Sequence, residues 1–175
     1  MKNSVKKEIE ELIKGYNLNY SIEEFQDKVS WIKISGHQQL SEDFIKEFSD
    51  KVDWTDISHY QKLSENFIRE FQDKIVWSYI SKYQKLSENF IREFQDKVNW
   101  EYISSDQILS LEFVREFQDK VDWECIEEYQ NITREDIKEY EKEKIIKEKE
   151  KQKIIEEKKE LEKTRVKNKF QLIRF

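Results

Sequence analysis

The chain has 175 residues, no proline, two glycines (Gly15 and Gly36) and 40% charged side chains, a composition that leaves sheets and long loops without their usual punctuation. Five Trp, eight Tyr and eleven Phe supply too much core-forming surface for disorder. The net charge of −6 divides unevenly: from Arg134 onward 15 Lys plus Arg stand against 11 Asp plus Glu, while residues 1–133 hold 17 against 27, an acidic body with a mildly basic tail.

The start, Met1 to Glu8, is not followed by an apolar run, and no stretch has the length to cross a bilayer, so neither secretion nor a membrane span is expected. The single cysteine, Cys125, has no partner for an internal disulfide, which suits an intracellular, cytoplasmic setting. Residues 1–30 read as a degenerate N-terminal capping repeat. Counted back from Trp31 with a one-residue deletion, Ile9, Leu12 and Leu18 take the places of Trp, Ile and Leu, and Ser21-Ile22-Glu23-Glu24-Phe25 opens a second helix.

Residues 31–133 are tandem repeats. Trp31, Trp54, Trp77, Trp100 and Trp123 are spaced by 23 residues, and the residues between them recur in register, the mark of a solenoid. Within each copy the Trp and the Ile three residues on (Ile34, Ile57, Ile80, Ile103, Ile126) share a helical face. Ser30, Asp53, Asn99 and Asp122 precede the Trp as N-caps, with Val76 the exception. A second apolar series, Leu63, Phe67, Ile68, Phe71 and Ile75 in one copy, follows steps of four and three behind Ser64. Each copy is therefore expected to be a hairpin of two helices of about eight to ten residues, too short to stand alone and stabilised by stacking. Arg69 with Asp73, Glu70 with Lys74 and Glu93 with Lys97 have the spacing of i,i+4 helix pairs, which favours helix over strand.

Residues 134–175 form the third part. Asp136 stands where earlier copies have an inward Phe, and Lys142 to Lys144 replace the Asp-Lys-Val that ends earlier helices, which predicts a continuous helix of roughly 36 residues and about 54 Å. Its apolar residues are too sparse for a heptad seam, and pairs such as Glu143 with Lys147 suit an exposed helix. The apolar end, Phe170 to Phe175, is a candidate for docking on the body or for contact with a second copy. The fold class expected is all-α: a short α-solenoid of two-helix repeats of period 23 with a long charged C-terminal helix.

The unit W-x-x-I-S-x-x-Q-x-L-S-E-x-F-I-x-E-F-x-D-K-V, carried by residues 31–133 with Trp77, Gln84, Phe90, Phe94 and Asp96 in the clearest copy, resembles tandem repeats in uncharacterised proteins of large DNA viruses of amoebae and of related AT-rich genomes. The resemblance implies a viral setting, with host cytoplasm as the compartment, and carries no activity.

A catalytic reading has little to stand on. His37 and His59 occupy nonequivalent places in adjacent copies, and Cys125 lies too far along the chain to join them in a zinc site. Phosphate-cradling loops and nucleophile elbows need glycines that this chain does not have. No enzyme activity, cofactor or metal is expected. Gln38, Gln61, Gln84, Gln107 and Gln130 recur without exception and are expected to satisfy backbone groups at a turn.

Function is sought where copies differ, because a repeat scaffold keeps its core and varies the face that meets a partner. The candidate partner surface is Lys33, Asp56, His59, Tyr79, Lys82 and Tyr102. Tyr79 and Tyr102 are side chains suited to binding hot spots, while Tyr60, Tyr83 and Tyr129 are expected to be half-buried. The leading expectation is a non-enzymatic scaffold for an unidentified protein partner. Two alternatives stay open: a viral or mobile-element inhibitor that sequesters a host protein by acidic nucleic-acid mimicry, and a self-assembling structural protein that forms homo-oligomers through residues 134–175. The acidic body argues against direct nucleic-acid binding.

Overall fold

The computed structural model describes the backbone of residues 1–172 and the side chains of residues 1–165 apart from that of residue 37. Among these residues every element is a helix. The N-terminal pair is α1 (Asn3–Gly15) and α2 (Ile22–Lys28). Then come the first helices of successive copies, α3 (Trp31–His37), α5 (Trp54–Tyr60), α7 (Trp77–Tyr83) and α9 (Trp100–Asp106), alternating with the second helices, α4 (Glu42–Glu47), α6 (Glu65–Glu70), α8 (Glu88–Glu93) and α10 (Leu111–Glu116). The last copy starts with α11 (Trp123–Cys125), which runs on as one π-helical turn (Ile126–Gln130), and ends in α12 (Arg134–Leu172). The chain is thus a short helical-repeat solenoid: α3 packs on α5, α5 on α7, α7 on α9 and α9 on the π-turn.

The second helices are shorter than the spacing predicts. Ser41, Ser64, Ser87 and Ser110 cap them by accepting from the backbone N–H three residues on. Each then ends after six residues at a Phe in a non-helical conformation, as at Phe71 (φ −110°, ψ 25°). Asp73, Lys74 and Lys97 therefore lie in turns, and the pairs Arg69–Asp73, Glu70–Lys74 and Glu93–Lys97 do not form. Arg69 instead reaches Glu65 on its own helix and Glu93 in the next copy, at 3.7 and 2.8 Å. Glu70 pairs with Lys46, and Lys97 with Asp73 in the preceding copy. Charge that looked local in sequence joins neighbouring copies.

The core is one continuous column. Phe44, Phe67, Phe90 and Phe113 lie inside with Ile34, Ile57, Ile80 and Ile103, while the tryptophans flank them half-buried. In the third copy Trp77 lies 6.3 Å from Phe90 and 5.0 Å from Phe94 between ring centroids. Its indole N–H donates to the Gln72 carbonyl, which satisfies the one polar group the ring carries into the core.

Two hydrogen-bond ladders fix the stacking distance. Gln84 Nε2 donates to the carbonyls of Ser58 and Gln61 in the copy before, and its Oε1 accepts from Leu63 N–H. Gln61, Gln107 and Gln130 repeat the pattern one copy apart. Gln38, with no such copy before it, is exposed. The glutamines do satisfy turn backbone, and the turn belongs to the neighbour. The second ladder uses the buried serines: Ser81 Oγ donates to Trp77 O and accepts from Asn99 N–H, the residue before the next Trp. Ser35, Ser58 and Ser104 accept likewise. The equivalent place in the last copy is Glu127, where no further copy needs holding.

Caps and ends follow the same logic. Asp53, Asn99 and Asp122 cap the first helices as expected, whereas Ser30 makes no such bond. Glu42, Glu65 and Glu88 each accept from the backbone N–H of the next copy's capping serine. At the N-terminal end Glu8 of α1 does this for Ser41. Helix α1 packs against α2 and α4 rather than stacking on α3. It therefore stands where a preceding second helix would, and Ile9 and Leu12, buried there, do not hold the places of a Trp and an Ile. At the other end Leu111 sits where a capping Glu would be, and Asp136 caps instead: its carboxylate accepts from Thr133 N–H and its own N–H donates to Thr133 Oγ1.

Beyond its first three turns α12 leaves the body. Ile137 is buried, Lys144 Nζ reaches Glu112 at 2.7 Å, and every residue from Lys142 to Arg165 is exposed. Glu143 pairs with Lys147 at 3.3 Å as its spacing predicts. No helix among the described residues is long and apolar enough to cross a membrane. The side chains of Phe170 to Phe175 lie outside the described residues.

Candidate functional site

A first helix spans seven residues and turns its Trp, Ile, Ser and Gln positions to the core or to a neighbouring copy. At 100° per residue the places one, two, five and six after the Trp form the opposite arc. Stacking α3, α5, α7, α9 and α11 at a fixed distance joins these arcs into one outer face. The expected surface residues all lie on it, but they do not form a single patch.

Four of them converge at its centre. The His59 ring stacks on Tyr79 across the copy boundary at 5.0 Å and lies 4.3 Å from Tyr83 and 4.0 Å from Tyr60. Lys82 Nζ sits 4.9 Å from the centre of the Tyr102 ring in the next copy and 5.5 Å from that of Tyr83. His59, Tyr79, Lys82 and Tyr102 are thereby joined through Tyr83. Asp56 lies half-buried to one side, where a side chain at Gly36 would meet it: a Cβ there would come 3.2 Å from Asp56 Oδ2. Lys33 is further off, on the wall of a cleft with Tyr16, Tyr20 and Val29.

The tyrosines expected to be half-buried are the exposed ones. Tyr60, Tyr83 and Tyr129 show 54%, 46% and 58% of their surface, while Tyr79 and Tyr102 are the half-buried pair, each partly covered along the stack. Helical spacing held the signal: six residues beyond an inward Trp is an outward place. Ile108, 86% exposed and not singled out by its sequence, edges a groove of about 530 Å³ together with Tyr83, Lys85, Leu86 and Asp106.

The charges of this face differ from those of the second helices. The second helices and their turns carry ion pairs from copy to copy: Lys46–Glu70, Arg69–Glu93, Arg92–Glu116 and Arg115–Glu141. On the outer face and its adjoining loops Lys33, Lys62, Lys82 and Lys85 lie in the first three copies with Asp56. Glu101, Asp106, Glu124 and Glu128 lie in the last two. Among the described residues none of these nine forms an ion pair.

The acids crowd one another. Glu128, with Cys125 and Asp106 adding to it, raises the Tyr129 pKa above its ordinary value. Burial first, then Asp122, Glu101 and Glu128, pushes the Cys125 thiol up, which keeps it protonated and a poor nucleophile. No three His, Cys, Asp or Glu side chains among the described residues are grouped to hold a metal ion. What the face offers is aromatic surface, unpaired charge of both signs and a rigid backing.

Compared with protein-family models, with curated proteins and with solved structures, the chain matches none of them.

Proposed function

We infer that this protein is a non-enzymatic repeat scaffold that binds a protein partner through the outer face of its first helices. The observation that carries the reading is the cluster of His59, Tyr60, Tyr79, Tyr83 and Tyr102, stacked across copy boundaries and partly open to solvent. Tyrosine buries a large ring at a small entropic cost and keeps a polar tip, which suits it to the centre of an interface. The core does not need these rings, since the Trp, Phe and Ile column is closed without them. The ladders hold the face in one shape, so little ordering is lost on binding. Acidic mimicry of nucleic acid has weaker support, because Lys62, Lys82 and Lys85 interrupt the acids.

Affinity capture from the native cell, with the tagged wild-type chain beside a Tyr79→Ala/Tyr83→Ala variant, tests this reading. A retained protein that falls at least tenfold in the variant, with unchanged circular dichroism, is the expected result. Equal retention by both chains removes the outer face from the account.

A further inference from the structure

The nine unpaired charges of the outer face are sorted by position. Copies two and three (residues 54–99) hold Lys62, Lys82 and Lys85 against Asp56, while copies four and five hold four acids, Glu101, Asp106, Glu124 and Glu128, and no base at the corresponding places. The aromatic centre lies at the boundary, with Tyr79 and Tyr83 on one side and Tyr102 on the other. Half-turn rotation about an axis through that boundary exchanges the two halves. It sets α7 of one chain opposite α9 of another, and α5 opposite the last copy.

We propose that the occupant of the outer face is the same face of a second copy of this chain, related by a two-fold axis between the third and fourth copies. The inference rests on the reading of this face as a protein interface and names its partner. In that arrangement Lys82 and Lys85 approach Glu101 and Asp106, Lys62 and His59 approach Glu124 and Glu128, and the tyrosines meet at the axis. A two-fold contact needs a self-complementary surface, and a face with separated opposite charges is one. A parallel pairing sets like charges against each other, which disfavours it. Helix α12 is no obstacle, because it packs on α10 in the layer of second helices.

Light scattering on the full-length chain reads the outcome. Wild-type protein has twice the chain mass at low ionic strength and returns to the chain mass near 1 M salt, where the screening length is about 3 Å. A variant with Lys62→Glu, Lys82→Glu and Lys85→Glu sets acids in copies two and three against the acids of copies four and five and is monomeric, as is one with Glu101→Lys, Asp106→Lys, Glu124→Lys and Glu128→Lys. Both sets combined in one chain exchange the signs of the halves and restore the dimer. Circular dichroism on each variant shows that exposed substitutions have left the fold intact. A wild-type monomer at low salt overturns the proposal, as does a dimer indifferent to both sets, which places self-association elsewhere, or a combined variant that stays monomeric. A monomer that still loses a captured foreign protein on Tyr79→Ala/Tyr83→Ala leaves the interface reading standing and removes only the second copy.

Discussion

Gln84 shows how one side chain sets the geometry of a copy. Its amide is nearly buried and meets two carbonyls and one N–H of the copy before. Gln84→Leu strands those three groups, and with a buried unsatisfied group costing about 1–3 kcal/mol chemical denaturation should show a loss of about 2–4 kcal/mol. Gln84→Glu adds a pH signature. A carboxylate facing two carbonyl oxygens favours its protonated form, so its folded pKa rises above the unfolded value of about 4.3. Below that value both states are protonated and the electrostatic penalty is absent; as pH rises the unfolded state releases its proton first and stability falls. A Gln84→Glu protein no less stable at pH 7 than at pH 4, relative to wild type, would contradict this. The sequence made the glutamines legible as turn-satisfying groups because they never vary. It hid their partners, which lie 23 and 26 residues back. The serines at 35, 58, 81 and 104 went unread because Ser in a helix usually bonds only the carbonyl one turn back. Their second bond, to the next copy's N–H, exists only once copies stack.

Helices of six and seven residues have no stability of their own in water, and their ends were legible only in part. The capping serines mark the starts of second helices plainly. The ends were misplaced because the turn after Phe71 keeps apolar residues at helical spacing while its backbone departs from the helix. Helix α12 is the opposite case, continuous because the turn residues are replaced, and exposed from Lys142 to Arg165. Few tertiary contacts mean low local stability. Limited trypsin digestion should therefore cut first within Lys147–Lys163 and leave a resistant body ending beyond Lys144; early cuts in the turns at Lys74 or Lys97 would contradict the ladder account. The start of α12 should respond to acid. Hydrogen bonds from the Thr133 hydroxyl and backbone hold the Asp136 carboxyl below its ordinary value. Its capping contribution is present at neutral pH and is lost as pH falls through that lowered value. Amide-exchange protection at residues 133 and 136, compared with that at Ile103, should weaken on acidification. Parallel behaviour of the three amides would place the effect elsewhere.

At the scale of the whole chain the repeat period and all-helical class were plain in sequence, since five tryptophans at a constant step admit few other arrangements. The outer face was legible as the set of variable positions, and four of its six expected residues meet at the aromatic centre. Its exposed tyrosines were misread because repetition was taken as a sign of burial, yet a repeated outward place is as regular as an inward one. The contrast between paired charge on the second helices and unpaired charge on the first could not be read at all, because the pairs join residues about one copy apart. Charge on the second helices and the inner arc of the first helices, with its two ladders, hold the stack together; in the proposed function the outer arc of the first helices, its charges unpaired, is left for a partner. Tyrosine-selective surface labelling read by mass spectrometry tests this division most directly, on the chain in its native complex and on the chain freed by high salt. The account predicts that Tyr60 and Tyr83 label readily in the freed chain and are protected in the complex, while Tyr140 at the start of α12 labels equally in both. Protection at Tyr140 with Tyr60 and Tyr83 fully reactive in the complex would contradict it.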